Sequence, residues 1–131
     1  MRTLWLLLLL GLILLGNCAA PRPSLLGSVY MVYPENRMID IELKSFSFQP
    51  NHIAILQNQY PLTFRLTNTA DIKHNFTLKD SQKNIITSID LMPEESKTVT
   101  IESLKPGNYL FYCDRFLHRL GGMEGMLMVA E

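Results

Sequence analysis

The stretch Met38-Ile39-Asp40-Ile41-Glu42-Leu43-Lys44 alternates isoleucine or leucine with a charged side chain from position 39 onward. A period of two is typical of a β-strand with one face in the core and the other in solvent, because successive side chains point to opposite faces of a sheet. Continued to Phe48, this stretch predicts one half-buried strand over 38–48 and favours an all-β domain.

The same signal returns along the rest of the chain. Further short strands are predicted at 53–56, 62–67, 76–79, 85–91, 98–102, 109–112 and 126–129, and residues 28–33 form either an edge strand or part of a linker. Turn-forming residues separate most of these stretches, as at Lys105-Pro106-Gly107-Asn108. Seven to eight short strands at this spacing, with no helical pattern after the N-terminal segment, predict a Greek-key β-sandwich.

The N-terminus has the layout of a signal peptide. Arg2 precedes an apolar run from Leu4 to Leu15, and that run is shorter than a membrane-spanning helix requires. We therefore expect residues 1–17 to be a signal peptide, residues 18–37 to be a linker with the possible edge strand, and residues 38–131 to form one domain. A chain of 131 residues has room for no more than one.

Cys18 resembles the lipid-modified cysteine of bacterial lipoproteins, because it follows Leu15-Gly16-Asn17 at the end of the apolar run. The residue before such a cysteine is usually small, and Asn17 departs from that pattern. We expect Cys18 to be a lipid anchor, which would hold an exported domain on the periplasmic or cell-surface side of a membrane. Ordinary cleavage after Ala19 or Ala20 and an uncleaved anchor are the alternatives.

The two cysteines and the charge balance narrow the possible functions. If Cys18 carries a lipid, Cys113 stands alone, and an exported domain with one unpaired cysteine is not a disulfide scaffold. A Cys18–Cys113 disulfide is the alternative. Lys plus Arg and Asp plus Glu number 12 each, and this balance indicates neither a nucleic-acid partner nor a basic membrane-binding surface.

The C-terminal part of the chain carries the spacing Cys113-x4-His118-x4-Met123, and His74 lies upstream of it. Thiolate and thioether sulfur favour Cu(I), whereas imidazole also suits Cu(II), and two histidines, one cysteine and a weak methionine form the ligand set of a blue-copper electron-transfer site. Two glycines at 121–122 allow the chain to turn back, so that His118 and Met123 can converge with Cys113. The sequence therefore predicts one mononuclear type 1 copper ion.

Each of these residues also has an ordinary structural interpretation. A lone buried cysteine is common and inert, a lone methionine is usually packing, and a lone histidine is often simply hydrogen-bonded. All of them together, at this spacing, favour the metal site. Met126 is a second nearby thioether, but it falls in the last strand and, like Met128, is expected in the core. Zinc is disfavoured because a thioether is a poor zinc ligand, and His52 is expected to be a solvated surface histidine.

The segment Pro106-Gly107-Asn108-Tyr109-Leu110-Phe111-Tyr112, followed by the Cys-x4-His-x4-Met loop and Glu124-Gly125, resembles the C-terminal copper loop of cupredoxins of the plastocyanin/azurin type. His74-Asn75-Phe76 resembles their first-histidine strand, and residues 47–53 resemble an early strand corner. The likeness covers about residues 38–130. It implies a cupredoxin-like Greek-key sandwich in which the strong copper ligands are His74, Cys113 and His118 and the long axial ligand is Met123.

The resemblance also implies roles around the copper. The backbone N–H of Asn75 would bond to the Cys113 sulfur, and electrons would leave through the solvent-facing edge of His118. Around that histidine, an apolar docking patch for a redox partner would consist of Phe116, Leu117 and Leu120.

Two departures from the family pattern bear on the site. Asp114 would favour Cu(II) unless Lys73 or Arg115 neutralises it. Phe116-Leu117 stands where the family often has Pro-Gly.

We therefore expect a membrane-tethered or exported carrier of single electrons, not an enzyme, that acts as a monomer between a redox donor and a redox acceptor. The alternative is a cell-surface copper-binding protein for copper delivery, sensing or detoxification, to which the additional methionines Met31, Met38, Met126 and Met128 could contribute Cu(I) ligands. A metal-free interaction module is a further alternative. A binuclear copper centre is disfavoured because it needs two loop cysteines, and multicopper enzymes need more histidines than the three present.

Overall fold

The computed structural model describes residues 29–32, 35–57 and 60–131. The predicted signal peptide, Cys18 and most of the predicted linker lie outside the described residues. The described chain forms ten strands, which are β1 (Tyr30–Met31), β2 (Met38–Lys44), β3 (Ser47–Gln49), β4 (His52–Leu56), β5 (Leu62–Asn68), β6 (His74–Lys79), β7 (Ile85–Leu91), β8 (Ser96–Ile101), β9 (Gly107–Tyr112) and β10 (Glu124–Ala130).

These strands form two sheets, and no helix is present in the described part of the chain. The larger sheet has the order β1-β4-β10-β9-β6-β7, and the smaller has the order β3-β2-β5-β8. The all-β Greek-key sandwich is confirmed. The described residues accordingly include no helix with the length and hydropathy that a membrane crossing requires.

The structure has more strands than the predicted seven to eight because the period-two pattern did not identify two short strands. β1 has two residues and pairs in parallel with β4, so part of the 28–33 stretch is an edge strand. β3 has three residues and forms a hairpin with β2 around a turn at residues 45–46, so the single strand predicted over 38–48 is two strands. Neither strand is long enough for a period of two to be recognised in the sequence.

The core lies between the two sheets, and a cluster of phenylalanine rings lies within a mainly aliphatic set of side chains. Phe76 of β6 contacts Phe48 of β3, Phe64 of β5 and Phe111 of β9, with ring centroids 5.5 to 6.0 Å apart. The alternating residues Ile39, Ile41 and Leu43 of β2 are each at most 1% exposed. Burial of one such side chain contributes about 1.5–3 kcal/mol to folding, so the sandwich provides a rigid frame for its end loops.

The last strand differs from its prediction. Met126 and Met128 were expected in the core, but Met126 is half-buried and Met128 is 38% exposed. Alternate residues of β10 face outward and are partly exposed, and Leu127 and Val129 face the core with Gly125.

Sheet pairing brings the predicted site residues to one end of the sandwich. β6 and β9 are antiparallel neighbours, with Thr77 opposite Tyr112. The start of β6 therefore lies beside the end of β9. His74 is the first residue of β6, Cys113 directly follows β9, and residues 113–123 form the loop that leads into β10.

Candidate metal centre

Three potential ligand atoms meet at this end of the sandwich. The Nδ1 atoms of His74 and His118 lie 3.2 Å apart, and the Sγ atom of Cys113 lies 4.0 Å from the first and 3.5 Å from the second. His74 and Cys113 are fully buried, whereas His118 is partly exposed. Among the described residues, His52 lies outside this group.

The spacing of these three atoms fits a metal ion. A point equidistant from three atoms with these separations lies about 2.1 Å from each, close to the bond lengths of about 2.0–2.3 Å that imidazole nitrogen and thiolate sulfur form with a metal. Both imidazoles present Nδ1 to this point. Two imidazoles and a thiolate are the donor set that suits copper in both of its oxidation states, so the residues present fit a type 1 copper ion.

Asn75 ties β6 to the cysteine. Its backbone N–H donates to Cys113 Sγ over 3.3 Å. The amide side chain of Asn75, 2% exposed as a residue, donates to Ser88 Oγ and Asp90 Oδ1 of β7 and accepts from Thr77 Oγ1. Such contacts around a ligand fix its orientation and tune the metal. The role of Asn75 was predicted from its position after His74, whereas no pattern in the sequence pointed to these three partners.

The loop that carries His118 is closed by its own backbone hydrogen bonds. The N–H of Met123 donates to His118 O, and the N–H of Cys113 donates to Met123 O, at 3.0 and 3.1 Å. Gly121 N donates to Leu117 O at 2.9 Å, and a salt bridge joins Arg119 to Glu124 across the loop. These bonds satisfy backbone groups that a loop would otherwise leave to water, and they hold the two ends of the loop together.

Met123 lies at the base of this loop, next to β10. It is fully buried and belongs to the hydrophobic core cluster that also contains Cys113. Met126, in contrast, lines a surface pocket of about 310 Å³ with Leu110 and Asn108, and none of the three clustered ligand residues lines that pocket. Burial and the backbone bond to Cys113 thus favour Met123 over Met126 as the fourth ligand.

Two positions in the loop have a left-handed backbone. Gly122 has φ of 97°, and Leu117 has φ of 63°. Glycine adopts this region without strain, whereas leucine does not. Leu117 stands where the family often has glycine. The backbone at this position is still left-handed, and this conformation is strained for leucine.

Burial changes the protonation of the ligands in the metal-free protein. Burial raises the pKa of the Cys113 thiol, although backbone N–H groups of Arg115 and Asn75 partly oppose this. Burial also lowers the pKa of His74, and the nearby charges of His118 and Arg115 lower it further. At neutral pH the thiol is therefore protonated and His74 is neutral, so a metal must displace the thiol proton when it binds.

The charges around Cys113 differ in part from those expected. Asp114 is exposed, and its charge raises the Cys113 pKa while the charge of Arg115 lowers it. Lys73 was expected as one possible neutralising partner of Asp114, but it pairs with Asp90 Oδ2 at 2.6 Å. Asp90 also accepts a hydrogen bond from the side chain of Asn75, the residue whose backbone N–H contacts Cys113.

The loop that carries His118 exposes three large apolar side chains. Phe116 is 87% exposed, Leu120 83% and Leu117 53%. Side chains of this size are rarely left so exposed in clusters on a protein surface without an interaction to serve. The predicted patch residues are thus accessible together beside the partly exposed histidine.

Sequence reasoning missed Phe46, which comes from the turn between β2 and β3. Its ring lies 4.9 Å from the ring of His118, centroid to centroid. No pattern in the sequence signalled this contact, because Phe46 lies in a turn with φ of 60° and the period of two in β3 does not extend to it. His52, expected at the surface, is half-buried at the start of β4.

The model of the cupredoxin-like domain family matches residues 6–129 of the chain. Among solved structures, the dithionite-reduced auracyanin of the photosynthetic bacterium Roseiflexus castenholzii is 22% identical, with a TM-score of 0.65, over 73% of this chain and 98% of that chain. The auracyanin B structure is 19% identical, with a TM-score of 0.55, over 72% and 88% of the two chains. These two likenesses show a common fold. A comparison with curated proteins found no match.

Proposed function

The chain belongs to the cupredoxin-like family of type 1 copper proteins, and from that membership we propose that it carries single electrons between redox proteins outside the cytoplasm. The observation that carries the proposal is the meeting of two imidazole Nδ1 atoms and one thiol within 4.0 Å of one another. When bound, copper supplies the redox change by cycling between Cu(I) and Cu(II).

The proposed ligands are Cys113, His74 and His118, with Met123 as a weak fourth ligand. These ligands should move little when copper changes oxidation state, because His74 and Cys113 are fully buried and backbone hydrogen bonds close the loop that carries His118. The backbone N–H of Asn75 donates to the Cys113 sulfur. The side chain of Asn75 donates to Asp90, which forms an ion pair with Lys73. A site held in this way suits electron transfer.

The proposed route for electrons runs through His118 to the apolar surface. His118 is the proposed ligand that reaches solvent, and the exposed Phe116, Leu117 and Leu120 of the same loop are the proposed docking patch. A redox partner with its own apolar patch would bury these side chains briefly. Such interfaces can be small, since encounters between redox proteins are weak and transient.

Electron self-exchange between copies of the protein tests this function. We expect a mixture of the Cu(I) and Cu(II) forms to exchange electrons fast enough to broaden the NMR signals near the site, with no loss of copper over many redox cycles. Leu120→Asp should slow the exchange, because two negative charges would meet when two patches dock. Ile85→Asp, at a 63% exposed position of β7, is the matched control and should leave the rate unchanged. Slow exchange with readily released copper would instead support copper delivery, sensing or detoxification.

Replacement of Met123 by leucine tests the fourth ligand. We expect Met123→Leu to keep the intense visible colour of the Cu(II) protein and to change its reduction potential, because the axial ligand tunes the potential of a His2Cys site. Leucine has a similar volume, and such a swap usually costs less than about 1.5 kcal/mol of stability. Voltammetry measures the change, with Met126→Leu as the control. An unchanged potential in Met123→Leu would exclude Met123 as a ligand.

We also propose that Cys18 anchors the protein to a membrane through a lipid, on the exported side. Support comes from the sequence alone, from the apolar run that ends at Leu15-Gly16-Asn17-Cys18. In cells that process lipoproteins, the chain should incorporate labelled fatty acid and sediment with membranes, and Cys18→Ala should abolish the label. Labelling that persists in Cys18→Ala, or its absence in the unmodified protein, would exclude this anchor.

A further inference from the structure

Phe46 contacts the copper-site histidine from outside the segments that supply ligands. Its ring lies at 55° to the ring of His118, with 4.9 Å between centroids, and the residue is 45% exposed. Aromatic pairs favour tilted and edge-on arrangements at such distances. One side of Phe46 thus covers the imidazole while the other faces solvent.

The ring of Phe46 packs against Gly121 in the loop that carries His118. A Cβ atom added to Gly121 would lie 2.8 Å from Cδ1 of Phe46, closer than side-chain contacts allow. Gly121 is not in the left-handed region, since only Gly107 and Gly122 among the described glycines have positive φ. The lack of a side chain at position 121 therefore allows the close approach of Phe46, and an added Cβ would also lie 3.3 Å from His118 O.

The backbone of Phe46 makes this placement costly. Its φ is 60°, a left-handed conformation that bulky residues rarely adopt and that asparagine or glycine adopts more readily. A half-exposed ring in a strained turn adds little to folding, and strained residues concentrate at functional sites. The strain at Phe46 and its contact with His118 together indicate that this residue acts on His118.

We propose that Phe46 is a positioning residue for His118, which it holds in one ring orientation and shields on one face. The inference rests on the proposed function, because His118 is taken there as a copper ligand. Of the four proposed ligands, His118 alone is partly exposed, so its ring has the least packing to hold it. Loss of the Phe46 ring should let the imidazole sample other orientations and release copper faster, by about 2- to 13-fold for an aromatic pair of ordinary strength.

The first test uses NMR of the metal-free, full-length protein and needs no copper. In the unmodified protein the His118 ring signals should be narrow and shifted by the nearby Phe46 ring. In Phe46→Asn they should lose that shift and broaden by exchange, whereas Phe46→Tyr should preserve them. Asparagine suits a left-handed turn, so Phe46→Asn should unfold at the same temperature as the unmodified protein or higher. Disorder of His118 would then not be an effect of unfolding.

The second test measures transfer of Cu(I) from the loaded protein to a strong Cu(I) chelator. Phe46→Asn should transfer copper about 2- to 13-fold faster, and Gly121→Ala should do the same because the new methyl group displaces the ring. Phe46→Tyr should match the unmodified protein. Ile85→Ala is the control: Ile85 pairs with Lys79 at the far end of β6, about 16 Å from His74 along the strand.

Unchanged His118 signals in Phe46→Asn would overturn the inference, as would equal loosening in Phe46→Tyr. The two proposals can fail separately. If the unmodified protein binds Cu(II) without intense colour but the NMR contrast between Phe46→Asn and Phe46→Tyr appears, the blue-copper function is wrong and the role of Phe46 stands. If the colour appears without that contrast, the role of Phe46 is wrong and the function stands.

Discussion

Replacement of Cys113 by serine is expected to abolish the intense visible colour of the Cu(II) protein. The colour arises from charge transfer between a thiolate and copper, and Cys113 is the only sulfur among the three atoms of the cluster. A hydroxyl is a hard and weakly acidic donor that suits copper poorly. Loss of a contact around a metal ligand typically lowers metal affinity about 10- to 100-fold. Loss of the ligand itself should lower the copper affinity by more than this.

The fold should survive this change, because serine is close to cysteine in size and its oxygen can accept the Asn75 N–H that now reaches Sγ over 3.3 Å. A buried hydroxyl costs about 1–3 kcal/mol, and thermal unfolding of the metal-free variant should show a loss of that order. Absorption and EPR spectra measure the site. Cys18→Ser is the matched control for the other cysteine and should keep its colour. Intense colour in Cys113→Ser would show that another group binds the copper.

Replacement of His118 by glycine is expected to open the site to external ligands. His118 is partly exposed, whereas His74 is fully buried. Removal of the His118 ring therefore leaves a gap that solvent can reach, beside loop residues that are themselves exposed. The Cu(II) variant should lose its colour or change it, and added imidazole should restore a spectrum close to that of the unmodified protein.

His74→Gly is the informative comparison for this experiment. The gap it leaves lies within the core beside Phe76 and Leu91, which are both fully buried, so imidazole should restore it poorly. His52→Gly controls for a histidine outside the cluster and should keep the original spectrum. Equal rescue of His74→Gly and His118→Gly by imidazole would contradict the assignment of His118 as the ligand that reaches solvent.

The sequence predicted those features that depend on local pattern. Ile39, Ile41 and Leu43 alternate with charged residues, and each is buried on the inner face of β2. The spacing of Cys113, His118 and Met123 predicted a loop that turns back on itself, and the loop has the backbone bonds of such a turn. These features need no knowledge of distant parts of the chain.

Contacts between distant segments could not be predicted in the same way. Phe46 meets His118 across 72 positions of sequence, through a hairpin whose left-handed residue carries no glycine or asparagine signal. Asn75 depends on Ser88 and Asp90 because β6 and β7 pair in a particular register. Met126 and Met128 were predicted in the core because composition shows that a strand is apolar but not whether its outer face is covered.

The measurement that tests the central claim most directly is the visible absorption and EPR spectrum of the unmodified protein after addition of one equivalent of Cu(II). The claim is that His74, Cys113 and His118 bind one type 1 copper ion. It predicts an intense thiolate-to-copper band together with narrow copper hyperfine splitting. A pale protein with ordinary tetragonal copper signals, or a protein that binds no copper, would contradict it.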